Sequence, residues 1–140
     1  MSAFKVGEHS TTFSGGPLVC AAGCAAIGAL IEENLVEKAA STGKYFKMQL
    51  EALQNKHKII KEVRGLGLML GMELRFDVLN VIQKCAQNGI LILDAGRNVL
   101  RFLPPLVITR EQVDKAIAVL DTALEEEAHA RANTSGSPTN

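Results

Sequence analysis

Residues 59–74 read IIKEVRGLGLMLGMEL, two apolar runs split by Gly65-Leu66-Gly67. Ile59 to Arg64 forms a short strand, with Ile60 and Val63 as its core contacts. Gly65-Leu66-Gly67 turns the chain, and Leu68 to Leu74 makes a second strand in which Gly71 lets a neighbour pass close. Strands joined this briefly pair antiparallel, because a parallel pair needs a crossover of about a dozen residues or more. The glycines do not make a dinucleotide fingerprint: their spacing is wrong and no helix follows directly.

Toward the C-terminus the same logic repeats. Asp77 caps a third helix carrying Val78, Leu79, Val81, Ile82 and Cys85, and Asn88-Gly89 stops it. Ile90 to Asp94 is a third strand, Ala95 to Asn98 a turn, and Val99 to Leu103 a fourth strand paired with the third. Pro104-Pro105 ends that strand, since proline donates nothing to a ladder. Thr109 with Gln112 three residues later is a capping box for a fourth helix, whose buried face is Val113, Ala116, Ile117, Leu120 and Leu124. Residues 131–140 are expected to be a disordered tail, for they contain no apolar residue beyond Ala132.

Toward the N-terminus, Asn34 with Glu37 fits a cap for a second helix running to about Asn55. Leu35, Ala39, Thr42, Phe46, Leu50 and Leu53 recur at helical spacing and give it one apolar face. Before it, residues 17–33 form a first helix opened by Pro17, a residue suited to the first helical position. Its small residues, Ala21, Ala22, Gly23, Ala25, Ala26 and Gly28, make it apolar nearly all round, which implies burial on most sides. Either a neighbour outside these residues covers it, or it is the central helix of this domain. Residues 1–16 lack hydrophobic periodicity and read as a segment serving a surface elsewhere. The fold class is α+β: a small, mostly antiparallel sheet of three to four strands, with helices packed on one face, preceded by the long apolar helix. Residues 34–130 form its small domain and residues 17–33 its connecting helix.

Composition narrows the function. Lys and Arg number 15 against 15 Asp and Glu, so no net field recruits nucleic acid. Only five Phe and one Tyr are present, and no basic block interleaves with them. The run after Pro17 is too short and too rich in small residues to span a bilayer. No signal peptide pattern is seen, and the expected location is the cytoplasm. Cys20, Cys24 and Cys85 lack metal-ligand spacing and read as small buried hydrophobes in a reducing compartment. His9, His57 and His129 have no spaced ligand partners, so no metal site is expected.

Two places carry candidate chemistry. In GEHSTTFSGGPL, residues 7–18, Thr11 and Thr12 precede Phe13, a flexible Ser14-Gly15-Gly16 run and the start of a helix. Hydroxyls and bare helix N–H groups favour an anion, above all a phosphate; the other reading is a loop and cap without a ligand. Arg101 sits inside Val99-Leu100-Arg101-Phe102-Leu103, on the face opposite Leu100 and Phe102. A guanidinium at a strand end suits a carboxylate gripped by two hydrogen bonds; the other reading is a solvated edge. No nucleophile–base set stands out, and no residue here is assigned a catalytic role.

Together, GEHSTTFSGGPLVCAA, VRGLGLMLGMEL and GILIL followed by NVLRFLPPLVIT, in this order, resemble the C-terminal part of a class-III aminotransferase, from about Gly7 to Leu124. That resemblance implies a fold-type I enzyme using pyridoxal phosphate, a homodimer when whole, and a small amino-acid substrate, with neither nucleic acid nor a membrane as partner. It implies that Thr12, with Thr11 beside it, binds the cofactor phosphate and that Arg101 grips the substrate's α-carboxylate. Ser14 and Gly16 stand where many relatives have Gly and Asn, and both keep the loop small. The lysine that carries the cofactor lies upstream of this threonine in the family, and Lys5 does not stand in its motif. The alternatives are an interaction module on the same domain, without catalysis, or another class-III member acting on ornithine or 4-aminobutyrate.

Overall fold

The computed structural model describes residue 5 and residues 11–134. The elements run α1 (Pro17–Glu32), α2 (Leu35–Lys56), β1 (Ile60–Leu66), β2 (Met69–Leu74), α3 (Leu79–Gln87), β3 (Leu93–Asp94), β4 (Val99–Phe102) and α4 (Arg110–Thr134). They divide into a unit ending at Leu35 and a second unit starting at Val36.

In the second unit the four strands form one antiparallel sheet in the order β1-β2-β4-β3. Both expected hairpins are present, and β2 and β4 join them. The first turn is tighter than expected. Gly65 and Leu66 stay in the ladder opposite Leu70 and Met69, so only Gly67-Leu68 connect the strands. Gly67 has φ +54, the left-handed geometry that a two-residue hairpin takes at its first central position. The close approach also lies elsewhere than expected. A Cβ on Gly71 would meet Val99 Cγ1 at an ordinary 3.5 Å, whereas one on Gly43 in α2 would fall 2.1 Å from the Gly67 carbonyl oxygen. Bare backbone at Gly43 is what lets α2 lie against the hairpin turn.

Alternation along β2 and β4 buries Leu70, Met72, Leu74, Leu100 and Phe102 on one face. Against it pack Phe46, Leu50 and Leu53 of α2, Val81 and Cys85 of α3, and Val113, Leu120 and Leu124 of α4. Each fully buried aliphatic side chain contributes about 1.5–3 kcal/mol. Phe46 meets Phe102 edge-on, with centroids 5.4 Å apart.

The caps follow the sequence closely. The Leu79 N–H donates to Asp77 Oδ1 at 3.0 Å. At the other end of α3, Gly89 has φ +79, its N–H donates to the Ala86 carbonyl, and the Ile90 N–H donates to that of Cys85. This is a Schellman end, which Asn88-Gly89 encodes. In the box opening α4, the Thr109 N–H donates to Gln112 Oε1 at 2.9 Å, and the Gln112 N–H donates to Thr109 Oγ1 at 3.3 Å.

Four expectations need correction. Asn34 is not an extended cap for α2: it has φ +51 and its N–H donates to the Ile31 carbonyl, so it closes α1 in the left-handed geometry that Asn tolerates. The third strand shrinks to Leu93–Asp94, because Ile90 is spent on the α3 cap. Helix α4 runs to Thr134, past the expected start of the tail at Arg131. Arg131 Nε reaches Glu127 Oε1 one turn back at 2.8 Å, and its guanidinium lies 3.7 Å over the Phe76 ring, which holds that last turn. The rest of the tail lies outside the described residues. Finally, α1 has no buried residue, and Cys20 and Cys24 on it are exposed, while Cys85 is buried as expected. Among the described residues of its own unit, nothing covers α1. No single helix among the described residues is long and apolar enough to cross a membrane.

Candidate functional site

In the first unit, Thr11 and Thr12 are both exposed. The Phe13 N–H donates to Thr11 Oγ1 at 3.4 Å. Gly15 then takes φ +80, which only glycine adopts freely, and reverses the chain into α1. Gly16 at the N-cap is extended and gives no side-chain hydrogen bond, and Pro17 follows. The first turn of α1 therefore offers N–H groups that no side chain caps, and two exposed hydroxyls precede it in sequence. That donor set fits a phosphate. Residues 7–10 of that stretch, His9 among them, lie outside the described residues.

In the second unit, Arg101 pairs with Gly71 of β2 on one side and Leu93 of β3 on the other. Leu100 and Phe102 are buried on the core face, so Arg101 is on the opposite one. It is half-buried rather than solvated, and its Nε is buried with no hydrogen-bond partner. A buried guanidinium N–H left unpaired is costly, so an acceptor placed there would be stabilising. Arg101 lines a cleft of about 510 Å³ together with Ile92, Leu93, Phe102 and Pro104, with Gln112 and Lys115 of α4 as its other polar groups. The lining is mostly apolar with a few polar groups, as in a small-molecule site.

Sequence reasoning missed the charges on the same sheet face. Glu73 Oε1 accepts Lys61 Nζ at 2.6 Å, and Glu73 Oε2 accepts Arg64 Nη1 at 2.8 Å. Hydrogen bonds from Lys61 and Arg64 hold its carboxyl below the usual range despite some desolvation. Opposite charges on neighbouring strands were the available signal. Of the histidines, His57 is buried and bonded to Asp121, and His129 is exposed on α4. Thr11 and Thr12 belong to the first unit and Arg101 to the second, and each site is described within its own unit.

The family model "Aminotransferase class-III" matches residues 1–124. Acetylornithine aminotransferase of Caldanaerobacter subterraneus subsp. tengcongensis is 45% identical over 124 residues, covering 88% of this chain and 32% of that protein. Ornithine aminotransferase of Oceanobacillus iheyensis is 44% identical over 124 residues, covering 89% of this chain and 31% of that protein. Among solved structures, acetylornithine aminotransferase from Elizabethkingia anophelis superposes with a TM-score of 0.80 at 33% identity, over 88% of this chain and 33% of that one. The chain thus spans about a third of the length of the curated relatives it matches. With the family model matching from residue 1 to residue 124 and the antiparallel sheet shared with solved members, this chain belongs to the class-III aminotransferase family.

Proposed function

We propose that these residues are the carboxylate-gripping lobe of a cytoplasmic, pyridoxal-phosphate-dependent acetylornithine aminotransferase. The whole protein acts as a homodimer and moves an amino group from N-acetylornithine to 2-oxoglutarate in arginine biosynthesis. Arg101 receives the α-carboxylate of the amino-acid substrate. The observation that carries this is its buried, unpartnered Nε at the edge of an apolar cleft. A guanidinium held there by the β4 ladder offers a planar fork with little further ordering to be lost. Thr12, with Thr11 beside it, binds the cofactor phosphate. The cofactor, when bound, supplies the electron sink for transamination. These residues bind and orient; they hold no group that does the covalent chemistry.

Two measurements on the 140-residue polypeptide test this reading. Titrated with N-acetylornithine, the Arg101 Nε–H resonance in ¹⁵N spectra should shift saturably, and Arg101→Ala should abolish binding; an unmoved resonance overturns the assignment. Incubated with pyridoxal phosphate, the polypeptide should neither transaminate N-acetylornithine nor show Schiff-base absorbance. A stoichiometric ketoenamine band would contradict the division of labour. Ornithine is the second reading for the donor, supported by the 44% identity to the Oceanobacillus iheyensis enzyme. The two amino acids share the distal amine and the carboxylate that Arg101 would hold, and differ at the α-amine, which N-acetylornithine carries acetylated.

A further inference from the structure

At the turn end of the β3–β4 hairpin, three arginines line one cleft of about 500 Å³ together with Phe76, Asp77 and Asn98. They come from three places in the fold. Arg75 follows β2, Arg97 lies in the turn before β4, and Arg131 sits in the last turns of α4. The cleft shares no lining residue with the one that holds Arg101. Arg131 also lies past residue 124, where the family match ends, so this cluster is not part of what that match describes.

Each arginine is held in the same way, through Nε. Arg75 Nε donates to the Lys58 carbonyl at 3.0 Å, Arg97 Nε to Asp77 Oδ2 at 3.3 Å, and Arg131 Nε to Glu127 Oε1 at 2.8 Å. The Arg131 guanidinium is fixed a second time, 3.7 Å over the Phe76 ring. A guanidinium bonded at Nε carries its two Nη groups at the other end of its planar fork, where an oxyanion is gripped. Holding Nε thus fixes the fork in advance and lowers the ordering cost of binding. As a source of stability the Arg97–Asp77 pair is weak, because Arg97 is 88% exposed. Its effect is one of position.

The acids nearby are already engaged. Asp77 Oδ1 accepts the Leu79 N–H at 3.0 Å while Oδ2 holds Arg97. Glu127 Oε1 also accepts Asn80 Nδ2 at 3.3 Å, and Oε2 faces Lys84 Nζ at 3.7 Å. In the cleft lining, three guanidinium groups face the one carboxylate of Asp77, which leaves a positive field. Three forks from three elements exceed what a planar carboxylate with two oxygens can accept. They match a tetrahedral anion with more oxygens and more charge.

We propose that this cleft binds a phosphate group, with Arg75, Arg97 and Arg131 as its ligating side chains. The proposal is independent of the role assigned to Arg101.

The test titrates the polypeptide with inorganic phosphate at neutral pH, with ionic strength held constant by sodium chloride. The Nε–H resonances of the three arginines in ¹⁵N spectra should shift together and saturate with one dissociation constant. Acetate at equal ionic strength should not move them. Arg97→Gln should weaken phosphate binding about tenfold. Arg97 is so exposed that this replacement leaves the fold intact, whereas Arg131→Gln would also loosen the end of α4. Arg97→Lys, which keeps the charge and loses the fork, should restore only part of the affinity. Arg101→Ala should leave the constant unchanged. The proposal is overturned if the shifts do not saturate, if acetate produces them equally, if Arg97→Gln has no effect, or if Arg101→Ala abolishes them. Methyl phosphate separates the sources of the group. Binding equal to that of inorganic phosphate supports a phosphate ester as the ligand, and binding of inorganic phosphate alone supports the free ion.

Discussion

His57 Nε2 lies 2.5 Å from Asp121 Oδ1, while Lys56 Nζ reaches the other oxygen of the same carboxylate at 2.7 Å. One carboxylate on α4 thus holds the C-terminal end of α2. Asp121→Ala leaves the buried His57 ring without this partner, which should cost about 1–3 kcal/mol. The urea midpoint should fall with an unchanged slope. Asp121→Asn, which keeps a hydrogen-bonding group, should lose less.

Acid should weaken the fold through two carboxylates. Lys61 and Arg64 hold Glu73 below its ordinary 4.5. Burial works to raise Asp121, but hydrogen bonds from Lys56 and His57 outweigh it and hold that carboxyl below its ordinary 3.8. Both groups bind protons less tightly in the folded chain than in the unfolded one. Their stabilisation is complete above the ordinary values and is lost as pH falls through the lowered ones. Urea midpoints measured from about pH 7 to about pH 3 should decline below about pH 4.5, and Glu73→Gln should flatten part of that decline.

Gly43→Ala should destabilise the second unit by about 1–3 kcal/mol, because the added methyl would overlap backbone at the Gly67 carbonyl. Gly71→Ala is the matched comparison. Its methyl would make an ordinary 3.5 Å contact with Val99 Cγ1, so stability should hold or rise by about 0.5–1 kcal/mol. Equal effects from the two substitutions would disprove the close approach of α2 to the turn.

The three thiols should separate by reactivity. Cys20 and Cys24 are exposed and Cys85 is buried, with burial pushing its thiol up to about 11. Two equivalents of a thiol reagent should react with the native polypeptide at once, and the third only on unfolding. Since Cys85 ionises more readily unfolded, where its ordinary value is 9.0, stability should also fall as pH rises from there toward about 11.

What the sequence discloses here is what short-range physics decides. The hairpins follow from connections too short for anything else, the α3 stop from Asn88-Gly89, and the α4 start from Thr109 and Gln112. Arg101 on the face away from Leu100 and Phe102 follows from the two-residue period of a strand. What escaped needs partners distant in sequence. Gly43 reads as an ordinary weak spot in a helix until Gly67 is placed against it. Asn34 has the composition of a cap for α2, yet Ile31 claims its N–H for the end of α1. The shortening of β3 depends on Ile90 being drawn back to Cys85. Glu73 looks like a solvated strand charge until Lys61, Arg64 and Asn98 converge on it. Nor does an apolar helix state which body covers it, as exposed α1 shows.

The order β1-β2-β4-β3 has a consequence for how the molecule assembles. Each outer strand folds back on its chain neighbour across a brief connection, so each ribbon can zip up by itself early. The middle ladder, Leu70 to Glu73 against Val99 to Phe102, joins segments with all of α3 between them, and its loop-closure entropy is larger. Arg101 meets Gly71 and the Glu73 side of the sheet only when that seam closes. A nascent or damaged chain with both ribbons formed but the seam open would thus have secondary structure without the Arg101 setting on which the proposed carboxylate grip depends. That setting arrives last, as a readout of complete folding.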